Sequence, residues 1–269
     1  MSERSNLPTD HMRITHIGGP TALMEIGSLR LLTDPTFEPA GYRYPPDSPN
    51  ALVKTADPAI AAAEIGPIDA VLLSHDHHAD NLDTAGRQVL GQARETLTTP
   101  SGAERLGGNA RGMATWETVT LTGSDGLIVR LTATPARHGP AAVKHLTGDV
   151  TGFVLEWDGQ RRGALYISGD TVLFEGVEEV ARRYRVGVAL LHCGAARSQR
   201  LGPDPLTLTG AEAAQLAQML PDATIIPIHH EGWAHFSEGR DAIERAFAGS
   251  PAESRLRFLP LGQSVALDM

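Results

Sequence analysis

Short apolar runs separated by turn-forming residues open the chain. Met12 to Ile17, Ala22 to Ile26 and Leu29 to Thr33 each predict a strand, and Gly27-Ser28 supplies the tight turn of a hairpin. Ala70 to Leu73 is continuously apolar, the pattern of a strand covered on both faces. Thr115 to Thr122 and Leu127 to Thr134 alternate around the turn signal Gly123-Ser124-Asp125-Gly126. Gly152 to Trp157 and Ala164 to Ile167 form another pair, joined by a turn that opens with Asp158-Gly159. Val186 to Leu191 and Ala223 to Ile228 predict further buried strands.

Helical spacing falls between these runs, over Leu82 to Ala93, Glu175 to Tyr184, Thr209 to Leu220 and Glu238 to Phe247. Thr209 predicts an N-cap, with Glu212 three residues on to complete a capping box. Early strands follow one another through hairpins, and later strands alternate with helices. That order predicts two sheets with helices outside them: an α/β, four-layer αββα sandwich spanning residues 1–269 as a single domain. Residues 34–50 carry Pro35, Pro39, Pro45, Pro46 and Pro49 with Gly41 and are expected to be a long loop without regular structure, either functional or a surface excursion.

Composition narrows the class. Apolar residues make up 41% of the chain and charged residues 20%, values of a globular protein. The net charge of −9 argues against a nucleic-acid surface, and Arg182, Arg183 and Arg185 read as cations at a helix end. The lone cysteine, Cys193, excludes an internal disulfide framework and fits a reducing cytoplasm. Met1 to His11 is polar and holds Pro8, so no signal peptide is expected. No apolar run reaches the roughly 18 residues that a membrane span needs.

The 11 histidines are grouped. His75, His77 and His78 lie with Asp80 and Asn81 directly after the strand predicted at Ala70 to Leu73. His229, His230 and His235 follow the strand ending at Ile228, and His138 and Asp170 follow two further strands. Imidazole and carboxylate groups gathered at strand ends are the donor set of a divalent-metal site in an α/β protein. His192, Cys193 and Gly194 read as a site lining at most, and His11 and His145 as surface residues. Asp76 is expected to bond backbone groups within its own loop, and Thr171 to serve as a turn residue. Trp233 and Phe236 either wall a pocket or pack their loop.

The run Pro67-Ile68-Asp69-Ala70-Val71-Leu72-Leu73-Ser74-His75-Asp76-His77 resembles the metal-binding motif of the metallo-β-lactamase superfamily. Ile14 to Gly19 and Leu31 to Phe37 are similar to the opening strands of its branch containing ascorbate-6-phosphate lactonases and N-acyl phosphatidylethanolamine phospholipase D. Pro135-Ala136-Arg137-His138, Ser168-Gly169-Asp170-Thr171 and Pro227-Ile228-His229 resemble later motifs in order. The resemblance implies one metal on His75, His77 and His138, a second on Asp80 and His229, and Asp170 between them, with His16 and Asp34 steadying the ligands. The family pattern is His-x-His-x-Asp-His. Here one residue is inserted and Asn81 replaces the last histidine. Counting forward from His75 makes His77 the second ligand; counting back from Asp80 makes it His78. Gly19, Pro20 and Leu208 also depart from the family pattern on the substrate side.

The implied function is a metal-dependent hydrolase acting through a metal-activated water on a phosphodiester or lactone in a small molecule. Asp80 would orient the nucleophile, and His229, His230 or His235 would act as acid or electrophile. One or two ions are expected, zinc first and manganese second. The alternative is a non-catalytic metal-binding or regulatory protein retaining the fold.

Overall fold

The computed structural model describes residues 10–198 and 200–269. The leaderless reading of the N-terminal stretch therefore falls almost wholly outside the described residues. The chain opens with β1 (His11–Gly18), β2 (Thr21–Ile26), β3 (Leu29–Thr33), β4 (Arg43–Tyr44), β5 (Leu52–Val53) and β6 (Ala70–Leu72). It continues through α1 (Thr84–Leu90), β7 (Glu95–Thr98), α2 (Pro100–Leu106), β8 (Ala110–Gly112), β9 (Thr118–Thr122) and β10 (Ile128–Pro135). Next come α3 (Lys144–Thr147), β11 (Thr151–Trp157), β12 (Ala164–Ile167), α4 (Glu175–Arg183) and β13 (Val186–His192). Last are α5 (Gly210–Met219), β14 (Thr224–Ile228), α6 (Arg240–Phe247) and β15 (Ser264–Asp268).

Two sheets carry the architecture. The first is seven-stranded, in the order β15-β1-β2-β3-β6-β7-β8, and the second is six-stranded, in the order β14-β13-β12-β11-β10-β9. Their facing sides form one apolar layer that includes Ile14, Met24, Leu31, Leu72, Leu131 and Phe153. The outer side of the second sheet packs on α4, α5 and α6 through residues such as Tyr166, Val180, Leu216 and Phe247. The outer side of the first is covered by Leu82, Val89 and Leu90 around α1. The result is the expected four-layer αββα sandwich. No helix among the described residues is long and apolar enough to cross a membrane.

Local chemistry explains the boundaries. Thr209 caps α5 by accepting from the Glu212 amide, and Glu212 returns a bond from the Thr209 amide, the reciprocal pair expected from the sequence. The helix expected to reach Ala93 stops at Leu90, where Gly91 follows. The strand expected from Thr115 starts only at Thr118, because Trp116 holds a left-handed φ of 69° that breaks extended structure. The segment 34–50, expected to be irregular throughout, contributes Arg43–Tyr44 to a short ribbon with Leu52–Val53.

Strand direction gathers the chemistry. β10 is antiparallel to β11 and β11 to β12, while β12, β13 and β14 run parallel. The C-terminal ends of β10, β12, β13 and β14 therefore meet at one rim of the second sheet. β3 and β6 are parallel in the first sheet, and the loops after them reach the same rim: the amide of Ser74 donates to Asp34 and that of Thr151 to the Ser74 carbonyl.

Candidate metal centre

The loop leaving β6 is pinned before it presents a donor. Ser74 N donates to Asp34 Oδ1 at 2.7 Å, and the other oxygen of Asp34 accepts from His192 Nε2 at 3.0 Å. Asp34 holds a left-handed φ of 28°, which turns its carboxylate back across the end of β3. His192, at the end of β13, is fully buried in this pair, a tighter role than the site lining expected of it. A signal was present: a histidine closing a wholly apolar strand, at the rim where the other histidines gather.

Three donor groups assemble at this rim, two of them around one carboxylate. Donor atoms of His75, His138 and Asp170 lie within 4.8 Å of one another, and so do those of Asp80, Asp170 and His229. His75, His77 and His78 form a third such group. Asp170 is common to the first two, and its side chain is fully buried. His138 donates from Nδ1 to the Leu206 carbonyl at 2.8 Å, which leaves Nε2 as a lone pair facing Asp170 Oδ2 at 3.9 Å. His16 donates from Nε2 to the Gly19 carbonyl at 3.0 Å, and the same oxygen accepts the His229 amide at 2.8 Å. His229, with φ 57°, is thereby held at the turn after β14. Thr171 does more than turn the chain: its hydroxyl accepts the Arg137 amide at 3.0 Å, tying the Asp170 segment to the residue before His138.

The paired histidines behave differently. His78 Nδ1 approaches His75 Nε2 at 3.0 Å, and its ring lies 4.9 Å from that of His138. His77 donates from Nε2 to the Thr147 carbonyl at 2.5 Å, with Nδ1 3.7 Å from Asp76. Asp76 differs from the expectation of bonds within its own loop. Its carboxylate takes a forked ion pair from Arg105 on α2, with Nε at 2.9 Å from Oδ2, because that helix packs directly behind the loop. Burial pushes the Asp76 carboxyl up, but the nearby His77 ring and the Arg105 fork outweigh it and hold the group well below the usual range.

Asn81, where the family pattern has histidine, donates from Nδ2 to Asp170 Oδ1 at 3.2 Å, and its Oδ1 is buried without a partner. His235 donates from Nε2 to Asp80 Oδ2 at 2.9 Å. His230 is not brought into the group: its ring meets Phe258 edge-on at 5.4 Å, and burial pushes it down to about 4. Trp233 packs its loop near Tyr42 and Lys54, while Phe236 stacks between His229 and His235. His145 is exposed, and His11 pairs with Asp268 across β1 and β15.

The electrostatics call for a cation. Asp80 and Asp170 share a buried space; burial first, then the Asp80 and Asp34 charges, hold the Asp170 carboxyl well above its usual range. Burial opposes ionisation of Asp80 too, but His235 and His229 outweigh it and hold it well below. Burial first, then His78, His77 and His138, pushes His75 well below the ordinary imidazole value. His229 Nδ1 lies 3.2 Å from Asp170 Oδ1 and its Nε2 lies 3.4 Å from Asp80 Oδ2, yet neither nitrogen makes a hydrogen bond, and Asp170 Oδ2 has no partner. Buried donors aimed at one another without proton-bearing geometry fit a divalent ion between them, and nitrogen-plus-carboxylate donors suit zinc or manganese.

Beside these donors lies a cleft of about 280 Å³, walled by Tyr44, Leu52, His78, Leu206 and His235.

A four-layer αββα sandwich with histidines and aspartates converging at one rim defines a protein of the metallo-β-lactamase fold. The sequence matches the β-lactamase superfamily domain over residues 29–230, and the chain belongs to that family. It is 28% identical over 269 residues to a UPF0173 metal-dependent hydrolase of Pelotomaculum thermopropionicum, covering 95% of this chain and 100% of that one. It is 31% identical over 226 residues to a UPF0173 metal-dependent hydrolase of Opitutus terrae, covering 81% and 84%. Its fold is similar to the crystal structure of isothiocyanate hydrolase from Delia radicum gut bacteria, with a TM-score of 0.78 at 21% identity over 95% of this chain and 99% of that one.

Proposed function

We propose that this protein is a metal-dependent hydrolase acting on an ester-type bond, a phosphodiester or a lactone, in a small-molecule substrate. The carrying observation is Asp170, the buried carboxylate common to the His75–His138 and Asp80–His229 groups. Its relatives named metal-dependent hydrolases support the class. His75, His138 and one of His77 and His78 would hold a first ion, Asp80 and His229 a second, and Asp170 both. Zinc is the first expectation and manganese the second. Bound there, the metal supplies a water acidic enough to ionise near neutral pH and a charge for the developing oxyanion.

The chain's own residues do the rest. His138 is locked by Leu206 with its Nε2 lone pair inward. His235 holds a proton at Nε2 on Asp80 and lines the cleft, so it orients that carboxylate and is placed to pass a proton to a leaving group. Of the three histidines expected as acid or electrophile, His229 stands among the metal donors and His230 packs on Phe258, so the proposed role goes to His235. Apolar walls at Leu52 and Leu206 limit water around the reacting bond.

The test is elemental analysis followed by a screen of phosphodiester, lactone and thioester substrates with zinc and with manganese. At least one bound ion and turnover of a phosphodiester or lactone are expected. A fully metal-loaded protein inert toward all three classes would instead favour a non-catalytic metal-binding protein, the reading that Asn81 supports by standing at a ligand position.

A further inference from the structure

The cleft beside the metal donors has a second chemistry at its mouth. Arg197 and Arg200 line it from the segment after β13, and Asp80 is the one carboxylate among its described lining residues. That balance runs against the chain, which carries 32 acidic residues to 23 lysines and arginines. Asp80 is engaged by His235 and faces His229, so it does not neutralise the arginines.

Among the described residues, Arg197 is held by neutral acceptors alone. Its Nε donates to Ser237 Oγ at 3.1 Å and its Nη1 to the Pro203 carbonyl. Those bonds fix the guanidinium while leaving its full charge and further N–H donors open to a ligand. Several other surface arginines are paired with carboxylates, as in Arg94 with Asp69, Arg183 with Glu179 and Arg185 with Asp222, whereas Arg43 and Arg162, like Arg197, bond backbone carbonyls. The remaining wall is apolar, from Pro45, Leu52, Leu201 and Leu206.

The segment bearing the arginines is also bonded to the donors. Leu206 N donates to the Ala196 carbonyl, Leu206 O holds His138, and Arg197 N donates to the carbonyl of His235. A group held by Arg197 is therefore anchored on the same unit that orients His138 and His235.

We infer that the substrate of this cleft is an amphipathic anion: a small molecule carrying a phosphate, sulfonate or carboxylate group beside an apolar part. The inference rests on the hydrolase reading for its location and adds the charge and polarity of the substrate. A fixed guanidinium recognises such an anion through charge-assisted, often forked, hydrogen bonds, while the leucines cover the apolar part.

Phenylphosphonate is the probe, with benzamide as its neutral counterpart. Binding of both is measured by calorimetry to the full chain, once metal-loaded and once in EDTA, for wild type, Arg197→Gln, Arg200→Gln and the double variant. Phenylphosphonate should bind more tightly than benzamide, and each substitution should weaken it about tenfold with bound metal unchanged. Arg197→Lys, which keeps charge but loses the fork, should restore part of the loss. Equal binding of the two probes to wild type would overturn the inference, as would a double variant that keeps its metal and its affinity for the anion. A protein that takes up no metal yet shows arginine-dependent anion binding in EDTA would sink the hydrolase reading and support the anion cleft.

Discussion

His192 Nε2 donates to Asp34 Oδ2 across 3.0 Å, with both side chains almost wholly buried, His192 closing β13 of the second sheet and Asp34 directly following β3 of the first. Because Asp34 also accepts the Ser74 amide, this pair joins the second sheet to the start of the His75 loop. Asp34→Ala leaves both donors without an acceptor and should cost about 3 kcal/mol in urea unfolding. Metal affinity should fall by about 10–100-fold, as for a residue that orients ligands. Asn at this position tolerates the left-handed backbone and keeps one acceptor, so Asp34→Asn should be milder on both measures. Wild-type metal affinity in Asp34→Ala would rule out this steadying role.

The two histidines after His75 separate in a mutant pair. His77 spends Nε2 on the Thr147 carbonyl, whereas His78 turns its Nδ1 to His75 and its ring to His138. We expect His78→Ala to lose metal and turnover by more than about 100-fold, beyond the range of changes that only orient ligands. His77→Ala should lose less. The reverse order in metal content would return the ligand role to His77.

Asp170→Asn tests the shared carboxylate. The amide lacks the charge that two neighbouring donor groups have in common, so metal per chain should drop in both groups at once. Elemental analysis and turnover read the effect directly. A variant that still binds the wild-type amount of metal would show that the two donor groups do not depend on Asp170.

Acid should unfold the metal-free protein early. Burial pushes His78 down to about 3, and His138 and His229 to about 4, from 6.5. Between the folded and unfolded values the unfolded chain carries more protons, so this contribution to stability is whole above about pH 6.5 and is lost as pH falls toward 4. In EDTA, the urea midpoint should fall steadily from pH 7 to pH 5. A flat profile over that window would mean that these imidazoles stay solvated in the folded state.

Much of the framework was legible because apolar periodicity and turn residues carry it. The hairpin at Gly27-Ser28 and the capping box at Thr209 lie where the sequence put them. The segment β7–α2–β8 was not read. Its helix is only seven residues long, started by the Thr99 cap and Pro100, and its strands have three and four residues, too few to show a period. β15 was missed because its Ser264-Val265-Ala266-Leu267-Asp268 pattern is that of a modest edge strand. In the site, residue types and strand ends exposed the donor set, but pairing across the fold stayed hidden. Neither the Arg105 fork on Asp76 nor the His192–Asp34 link has a local signature, since each partner lies far off in sequence.

The donors leave the ends of β6, β10, β12 and β14, so they span His75 to His229, more than half the chain, and no shorter fragment holds the set. The site cannot exist before both sheets have closed on each other, a topology of long-range pairings that closes slowly. An ion that binds only the closed state adds its binding free energy to folding, about 2.7 kcal/mol at a hundredfold excess over its dissociation constant. Metal supply during synthesis would then govern how much of this protein survives in folded form, apart from any effect on turnover.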